Sequence, residues 1–233
     1  MFFDINSINV RLSAAFKQPL LIKLLEKEPI MKIFCAGRNY VEHAKELNNE
    51  VPEEPVIFIK PKSAYLYHKA NFYYPEFTNE LHYEGELVLR ISKNGKHLSM
   101  KNAAGFFDAI TMGIDFTARD IQNELKKKGL PWEKAKAWDN SAVVGDWQSF
   151  TPDIHKNYIH FGLNKNGERA QTGNSKDMIF SFVKLISNIS RYFSLNIGDL
   201  VFTGTPAGVG ECVVGDEFKG FIGDKEVLSV LIK

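Results

Sequence analysis

From Met31 onward, short runs of alternating or continuous apolar residues outnumber stretches with a 3.6-residue repeat, which predicts a chain built mainly of strands. Met31-Lys32-Ile33-Phe34-Cys35 opens the pattern and turns at Gly37, and Val56–Lys60 is a compact apolar strand between Pro55 and Pro61. Residues 81–91 alternate strongly, Ala109–Phe116 is a nearly continuous apolar run, and Tyr158–Leu163 leads into Asn166-Gly167, a hairpin signal. Val213 to Lys233 reads as two or three closing strands, broken at Gly215-Asp216 and Gly223-Asp224. Helical spacing is confined to about 40–48, 118–128 and 176–193, the last with a stripe through Ile179, Val183, Ile186 and Ile189. Strands at irregular intervals with few helices indicate an α+β, mostly-β fold and exclude alternating βα units. Residues 1–30 follow another pattern: Leu20, Leu21, Leu24 and Leu25 predict one short amphipathic helix between Pro19 and Pro29. They read as an N-terminal appendage to a domain spanning 31–233.

Composition narrows the functional classes. The 233 residues are 44% hydrophobic and 24% charged, ordinary for one sizeable globular domain. A net charge of +1 gives no field that would select nucleic acid or a membrane surface. Lys126-Lys127-Lys128, ahead of Gly129-Leu130-Pro131, reads as the cation-rich last turn of a helix facing water. Cys35 and Cys212 lie far apart without a CxxC spacing, which fits buried thiols in a reducing compartment. No apolar stretch approaches the roughly 18 residues of a membrane span, and a secretory signal pattern is missing, so the cytosol is the expected compartment.

Four segments carry candidate chemistry. In Leu81-His82-Tyr83-Glu84-Gly85-Glu86-Leu87-Val88-Leu89-Arg90-Ile91, alternate side chains share a face, so Glu84 and Glu86 project together, opposite Leu81, Tyr83, Leu87, Leu89 and Ile91. Taken alone, such a polar face most often meets solvent. Asp115 ends the run Ile110–Ile114 and alone would pass for a turn residue. Beside Glu84 and Glu86 it would be expensive, because two like charges about 4 Å apart repel by roughly 4 kcal/mol at an effective dielectric near 20. Such a trio needs protons or a cation, and an all-oxygen set favours Mg²⁺, Mn²⁺ or Ca²⁺ over zinc. His43 and Glu46 stand at i and i+3 on a short helix, where a carboxylate can orient an imidazole as a base or simply form a surface pair. Finally, Asp199–Gly210 feeds a strand into a loop with three glycines and two threonines, either a tight turn or a place where backbone amides approach an anion.

In this order the pieces resemble the fumarylacetoacetate hydrolase family, especially its short acylpyruvase and oxaloacetate decarboxylase members. The matching text is Gly37–His43 with Glu46, Phe58-Ile59-Lys60-Pro61, His82–Glu86, Asp115–Gln122, Lys127–Trp132, Lys136, and Thr203-Gly204-Thr205-Pro206 with Gly208 and Gly210. The resemblance implies a mixed β-sandwich roll that is usually a homodimer. It implies Glu84, Glu86 and Asp115 as ligands of Mg²⁺ or Mn²⁺, with Ca²⁺ only as a non-physiological occupant, and His43 with Glu46 as a water-activating pair on a mobile lid. Lys136 would meet the substrate or its oxyanion, while Arg38, Lys60, Arg119, Gln122 and Thr205 would bind a small 2-oxo or 2,4-dioxo acid.

The expected reaction is hydrolysis of a C–C bond in an acylpyruvate, with decarboxylation or tautomerisation of oxaloacetate and dienedioate isomerisation as alternatives. Two rivals stand beside it: an inert carboxylate-binding or metal-binding protein, and a cupin-like site in which His82 joins Glu84 and Glu86 as a ligand.

Overall fold

The computed structural model describes residues 32–46, 50–150 and 158–233; the predicted helix at 20–25 and the last residues of the one at 40–48 lie outside them. In chain order the strands are β1 (Ile33–Gly37), β2 (Val56–Lys60), β3 (Tyr65–Tyr67), β4 (Leu81–Tyr83), β5 (Gly85–Ile91), β6 (Phe107–Asp115), β7 (Thr117–Ala118) and β8 (Ala142–Val144). They continue with β9 (Gln148–Ser149), β10 (His160–Lys165), β11 (Glu168–Asn174), β12 (Leu200–Phe202), β13 (Gly210–Glu211), β14 (Glu217–Ile222) and β15 (Lys225–Leu231). The helices are α1 (Val41–Glu46), α2 (Met100–Ala103), α3 (Arg119–Lys128), α4 (Glu133–Lys136) and α5 (Phe182–Tyr192).

One 8-stranded mixed sheet runs β2-β1-β12-β5-β6-β8-β3, with β9 beside β6. β1 lies parallel to β12 and β3 parallel to β8, whereas β5 and β6 pair antiparallel. An antiparallel sheet β11-β10-β14-β15 and a small sheet β13-β4-β7 close the roll. The fold is therefore mostly β with few helices, in the class the sequence predicts.

Period-2 patterning explains how the large sheet is buried. Phe34, Leu87, Leu89 and Val201 face the larger apolar cluster, while Ile33, Cys35, Val88 and Phe202 alternate with them into a second cluster on the opposite face. The face carrying Glu84, Glu86 and Val88 is thus buried rather than solvated, which corrects the solvent-face reading.

Residues 81–91 form two strands instead of one, because the chain leaves the small sheet at Tyr83 and enters the large one at Gly85. The Asn166-Gly167 hairpin forms with both residues at positive φ, 52° and 86°, as a two-residue turn of the primed type requires. Helix α3 ends at Gly129 in the left-handed conformation, as its sequence predicts. Helix α5 begins at Phe182, after the Ser181 cap, six residues later than expected. Asn174 caps a separate 3₁₀ turn at Ser175–Asp177, and the Ile179 amide donates to Asn39 O, holding that stretch outside the helix.

Candidate active site

Register brings the acidic residues together. Gly85 pairs with Ile114 and Glu86 with Gly113 across β5 and β6, so the next step places Glu84 opposite Asp115, whose amide donates to Glu84 O at 2.9 Å. Cross-strand neighbours and i, i+2 residues share a face, so all three carboxylates converge. One oxygen from each lies within 4.8 Å of the others, and the residues are 6%, 2% and 1% exposed.

Cations surround this group. Lys136 Nζ donates to Glu84 Oε2 (2.8 Å), Asp115 Oδ2 (2.7 Å) and Thr117 Oγ1 (2.6 Å). Arg119 Nη2 donates to Glu84 Oε1 at 2.6 Å, Nη1 to Gln122 at 2.5 Å, and Nε to His82 Nδ1 at 3.3 Å. Burial alone would raise the Glu84 pKa, but Lys136 and Arg119 outweigh it and hold the carboxylate well below its ordinary value. Burial would likewise lower Lys136, yet Asp115 and Glu84 hold its ammonium above the usual lysine range. Glu86 is different. Burial, then Asp115 and Glu84, push it well above the ordinary range, and the Gly204 amide at 2.7 Å only partly offsets them.

The donor set fits a hard divalent cation. Each carboxylate oxygen carries two lone pairs, and the contacts made by Glu84 Oε2 and Asp115 Oδ2 use one apiece. Asp115 Oδ1 is buried with Lys60 Nζ 2.6 Å away, a contact that occupies one of its two lone pairs. Buried acceptors with spare lone pairs, all oxygen, are what Mg²⁺ or Mn²⁺ takes.

A single cleft is lined by Arg38, His43, Glu84, Glu86, Asp115, Arg119, Gln122, Lys136 and Thr205, together with Phe58, Lys126 and Trp132. Of the site residues expected from sequence, Glu46 and Lys60 are the two outside this lining. Glu46 sits behind His43, with Oε2 3.2 Å from His43 Nδ1 and Oε1 accepting the Gly208 amide at 3.0 Å. Burial lowers the His43 pKa despite the upward pull of Glu84 and Glu46, so the ring is neutral near pH 7. With Nδ1–H directed at Glu46, Nε2 is the free acceptor.

Lys60 corrects its expected role as a substrate ligand. It is 0% exposed, its ammonium donates to Ser141 O and Oγ at 2.9 and 3.0 Å, and it braces Asp115 from behind. Thr205 reaches the cleft, but its hydroxyl donates to Gly85 O at 2.9 Å and accepts from Gln171 Nε2 at 2.8 Å. Arg38 enters by a strained route, a non-glycine residue at φ 58°. The next residue, Asn39, locks it in place: the side-chain amide donates to Phe180 O and Thr203 O and accepts from the Phe180 amide. His82 does not join the carboxylates; its nitrogens face Arg119 and Glu80, which removes the cupin-like alternative.

The glycine-rich loop does bring amides to acidic side chains, and the acids are the protein's own. Gly204 donates to Glu86 and Gly208 to Glu46. Gly204 has φ +98°, and a Cβ there would lie 2.6 Å from Asn39 Cβ, so glycine is required.

Sequence reasoning missed three participants. Thr117 and Gln171 gave no local signal, because their partners are set by register and packing. Lys126 did give one: with Arg119 and Gln122 it occupies i, i+3 and i+7 of a single helical face. The expectation that the whole lysine run faces water holds for the exposed Lys127 and Lys128 and fails for the half-buried Lys126.

A curled mixed sheet with an acidic trio at the seam between β5 and β6, ringed by lysine and arginine, defines a class of β-roll proteins with a buried carboxylate cage. Within that class the chain belongs to the fumarylacetoacetate hydrolase family. The model of the family, described as fumarylacetoacetate (FAA) hydrolase C-terminal, matches residues 32–233. The chain is 39% identical over 192 residues to the oxaloacetate tautomerase YcgM of Escherichia coli K12, covering 81% of this chain and 87% of that protein. It is 38% identical over 203 residues to the mitochondrial oxaloacetate tautomerase FAHD1 of Bos taurus, covering 86% and 90%. A crystal structure of fumarylpyruvate hydrolase from Pseudomonas aeruginosa in complex with Mn²⁺ and pyruvate superposes with TM-score 0.81 at 34% identity, covering 88% of this chain and 90% of that one.

Proposed function

We propose that this chain is a divalent-metal-dependent enzyme acting beside the carbonyl of a small 2-oxo acid, with tautomerisation of oxaloacetate its main reaction. The observation that carries the reading is the convergence of Glu84, Glu86 and Asp115, with spare lone pairs, on the floor of a cleft walled by cations. The relatives named oxaloacetate tautomerases move the weight from the C–C hydrolysis expected first to tautomerisation.

Mg²⁺ or Mn²⁺ held by these three carboxylates would supply positive charge opposite the negative charge that develops on the 2-oxo oxygen. The remaining roles fall to side chains of the cleft. Arg119 has spent three of the five N–H bonds of its guanidinium, which leaves one on Nη1 and one on Nη2 to hold a substrate carboxylate. Gln122, fixed by its bond from Arg119, offers its amide N–H beside them. His43 Nε2 takes the proton from the carbon next to the carbonyl and hands it to the 2-oxo oxygen to give the enol, or carries it the other way to give the ketone, while Glu46 keeps the ring in the acceptor tautomer; such a group contributes about 10²–10⁴-fold. Lys136 balances Glu84 and Asp115, so the buried charges stay fixed while substrate charge shifts.

A second reading, hydrolysis of an acylpyruvate, is favoured by one observation. The His43–Glu46 pair is complete and Glu46 is 32% exposed, so it lies within reach of water. The deciding experiment presents the Mn²⁺-loaded protein with oxaloacetate and acetylpyruvate in parallel. It follows enol absorbance, deuterium exchange at the carbon beside the carbonyl, pyruvate and CO₂. Metal-dependent exchange on oxaloacetate, faster than pyruvate release from acetylpyruvate, is expected. Faster pyruvate release from acetylpyruvate moves the assignment to hydrolysis, and no metal-dependent change with either acid rejects both readings.

A further inference from the structure

The cations of the cleft fall into two groups. Lys136 and Arg119 pair with the acidic trio at 2.6–2.8 Å, so their charge is balanced within the protein. Arg38 and Lys126 line the same cleft and, among the described residues, make no ion pair. Resting on the reading above, we propose that Arg38 and Lys126 form a subsite for a second, distal carboxylate, which selects four-carbon oxo-dicarboxylates over monocarboxylates.

Three observations lead there. Arg119, Gln122 and Lys126 occupy one face of α3, so a ligand carboxylate held by Arg119 has Lys126 roughly two turns further along, about 10 Å at 1.5 Å per residue. Both side chains reach from those attachment points into the same cleft, so one ligand can meet both. Lys126 is half-buried with its ammonium 5.7 Å from the centre of the Trp132 ring, so an aromatic wall directs it instead of leaving it free in water. Burial first, then Arg119 and Arg38, draw the Lys126 ammonium down to about 8, which marks a place crowded with like charge. An anion placed there relieves that repulsion, and a neutral methyl does not.

The matched pair malate and lactate tests the subsite. Both offer a 2-hydroxy carboxylate to the bound cation, and only malate adds a distal carboxylate. Calorimetry on the full chain loaded with Mn²⁺ gives the ratio of their dissociation constants directly. One charge-assisted contact is worth about tenfold or more. Wild-type protein is therefore expected to favour malate by at least about tenfold, Lys126→Gln to bring the ratio below about threefold, and Lys126→Arg to restore it. Circular dichroism of each variant confirms the fold. A wild-type ratio near one, or a ratio unmoved by Lys126→Gln, overturns the subsite and leaves the metal-site reading standing. Binding of neither ligand, with no metal-dependent exchange on oxaloacetate, rejects the metal-site reading and the subsite with it.

Discussion

Glu84 and Glu86 are two residues apart, chemically alike and equally hidden, yet their surroundings give them opposite ionisation behaviour. Glu84 is held ionised by Lys136 and Arg119, so Glu84→Gln strips the buried Arg119 of its carboxylate partner and leaves Lys136 with Asp115 alone, a change that costs about 3–5 kcal/mol. Glu86 is pushed toward its protonated form, which glutamine imitates. In EDTA, Glu84→Gln should therefore melt well below wild type and Glu86→Gln close to it, while both lose at least about 100-fold in Mn²⁺ affinity by calorimetry.

His43 yields a second expectation. Its folded pKa is depressed, and a cation among the carboxylates would cancel the upward pull of Glu84, so the direction persists in the loaded enzyme. The acidic limb of kcat/KM should then fall below the ordinary imidazole value of about 6.5. The unfolded chain binds this proton more tightly than the folded one, so the His43 contribution to stability declines as pH drops through 6.5. An acidic limb above pH 7 would remove His43 as the proton acceptor.

Among elements, the strand and helix types were legible wherever a local period decided them. Glu84 and Glu86 share a face because strands repeat every two residues, and Asn166-Gly167 turns because both positions tolerate positive φ. Asp115 stood out as an acid ending an apolar run, but its position opposite Glu84 depends on pairing between strands about thirty residues apart, which no local pattern encodes. The same limit hid the break at Glu84, where one alternating run serves two sheets, and the role of Lys60, whose buried place behind Asp115 follows from packing. Lys126 was legible in its helical spacing with Arg119 and Gln122, and the adjacent lysines masked it. The loop after β12 offers a test at this scale. Gly204→Ala imposes both the left-handed strain and the clash with Asn39, so it should lower unfolding stability by about 1–3 kcal/mol in urea titration and weaken Mn²⁺ binding through Glu86. Unchanged stability would mean the loop can move away from Asn39 without loss.

Taken as a whole, the molecule has a formal charge of only +1, yet concentrates cationic side chains around one cleft. Local field, not global charge, governs capture of an anionic substrate, so kcat/KM for oxaloacetate should fall by about threefold or more between 20 and 500 mM NaCl. Cation binding should also be visible globally. Mn²⁺ at a hundredfold excess over its Kd adds about 2.7 kcal/mol, or roughly 5–10 °C of Tm for a domain of this size, and EDTA should reverse the shift. The clamps on Glu86 and Glu46 come from Gly204 and Gly208, 118 and 162 positions downstream of the acids they hold. A ribosome therefore delivers both acids long before it delivers their anchors. Competence arrives only with the final stretch of synthesis, and fragments that stop short of residue 204 should be inert even where their strands have paired.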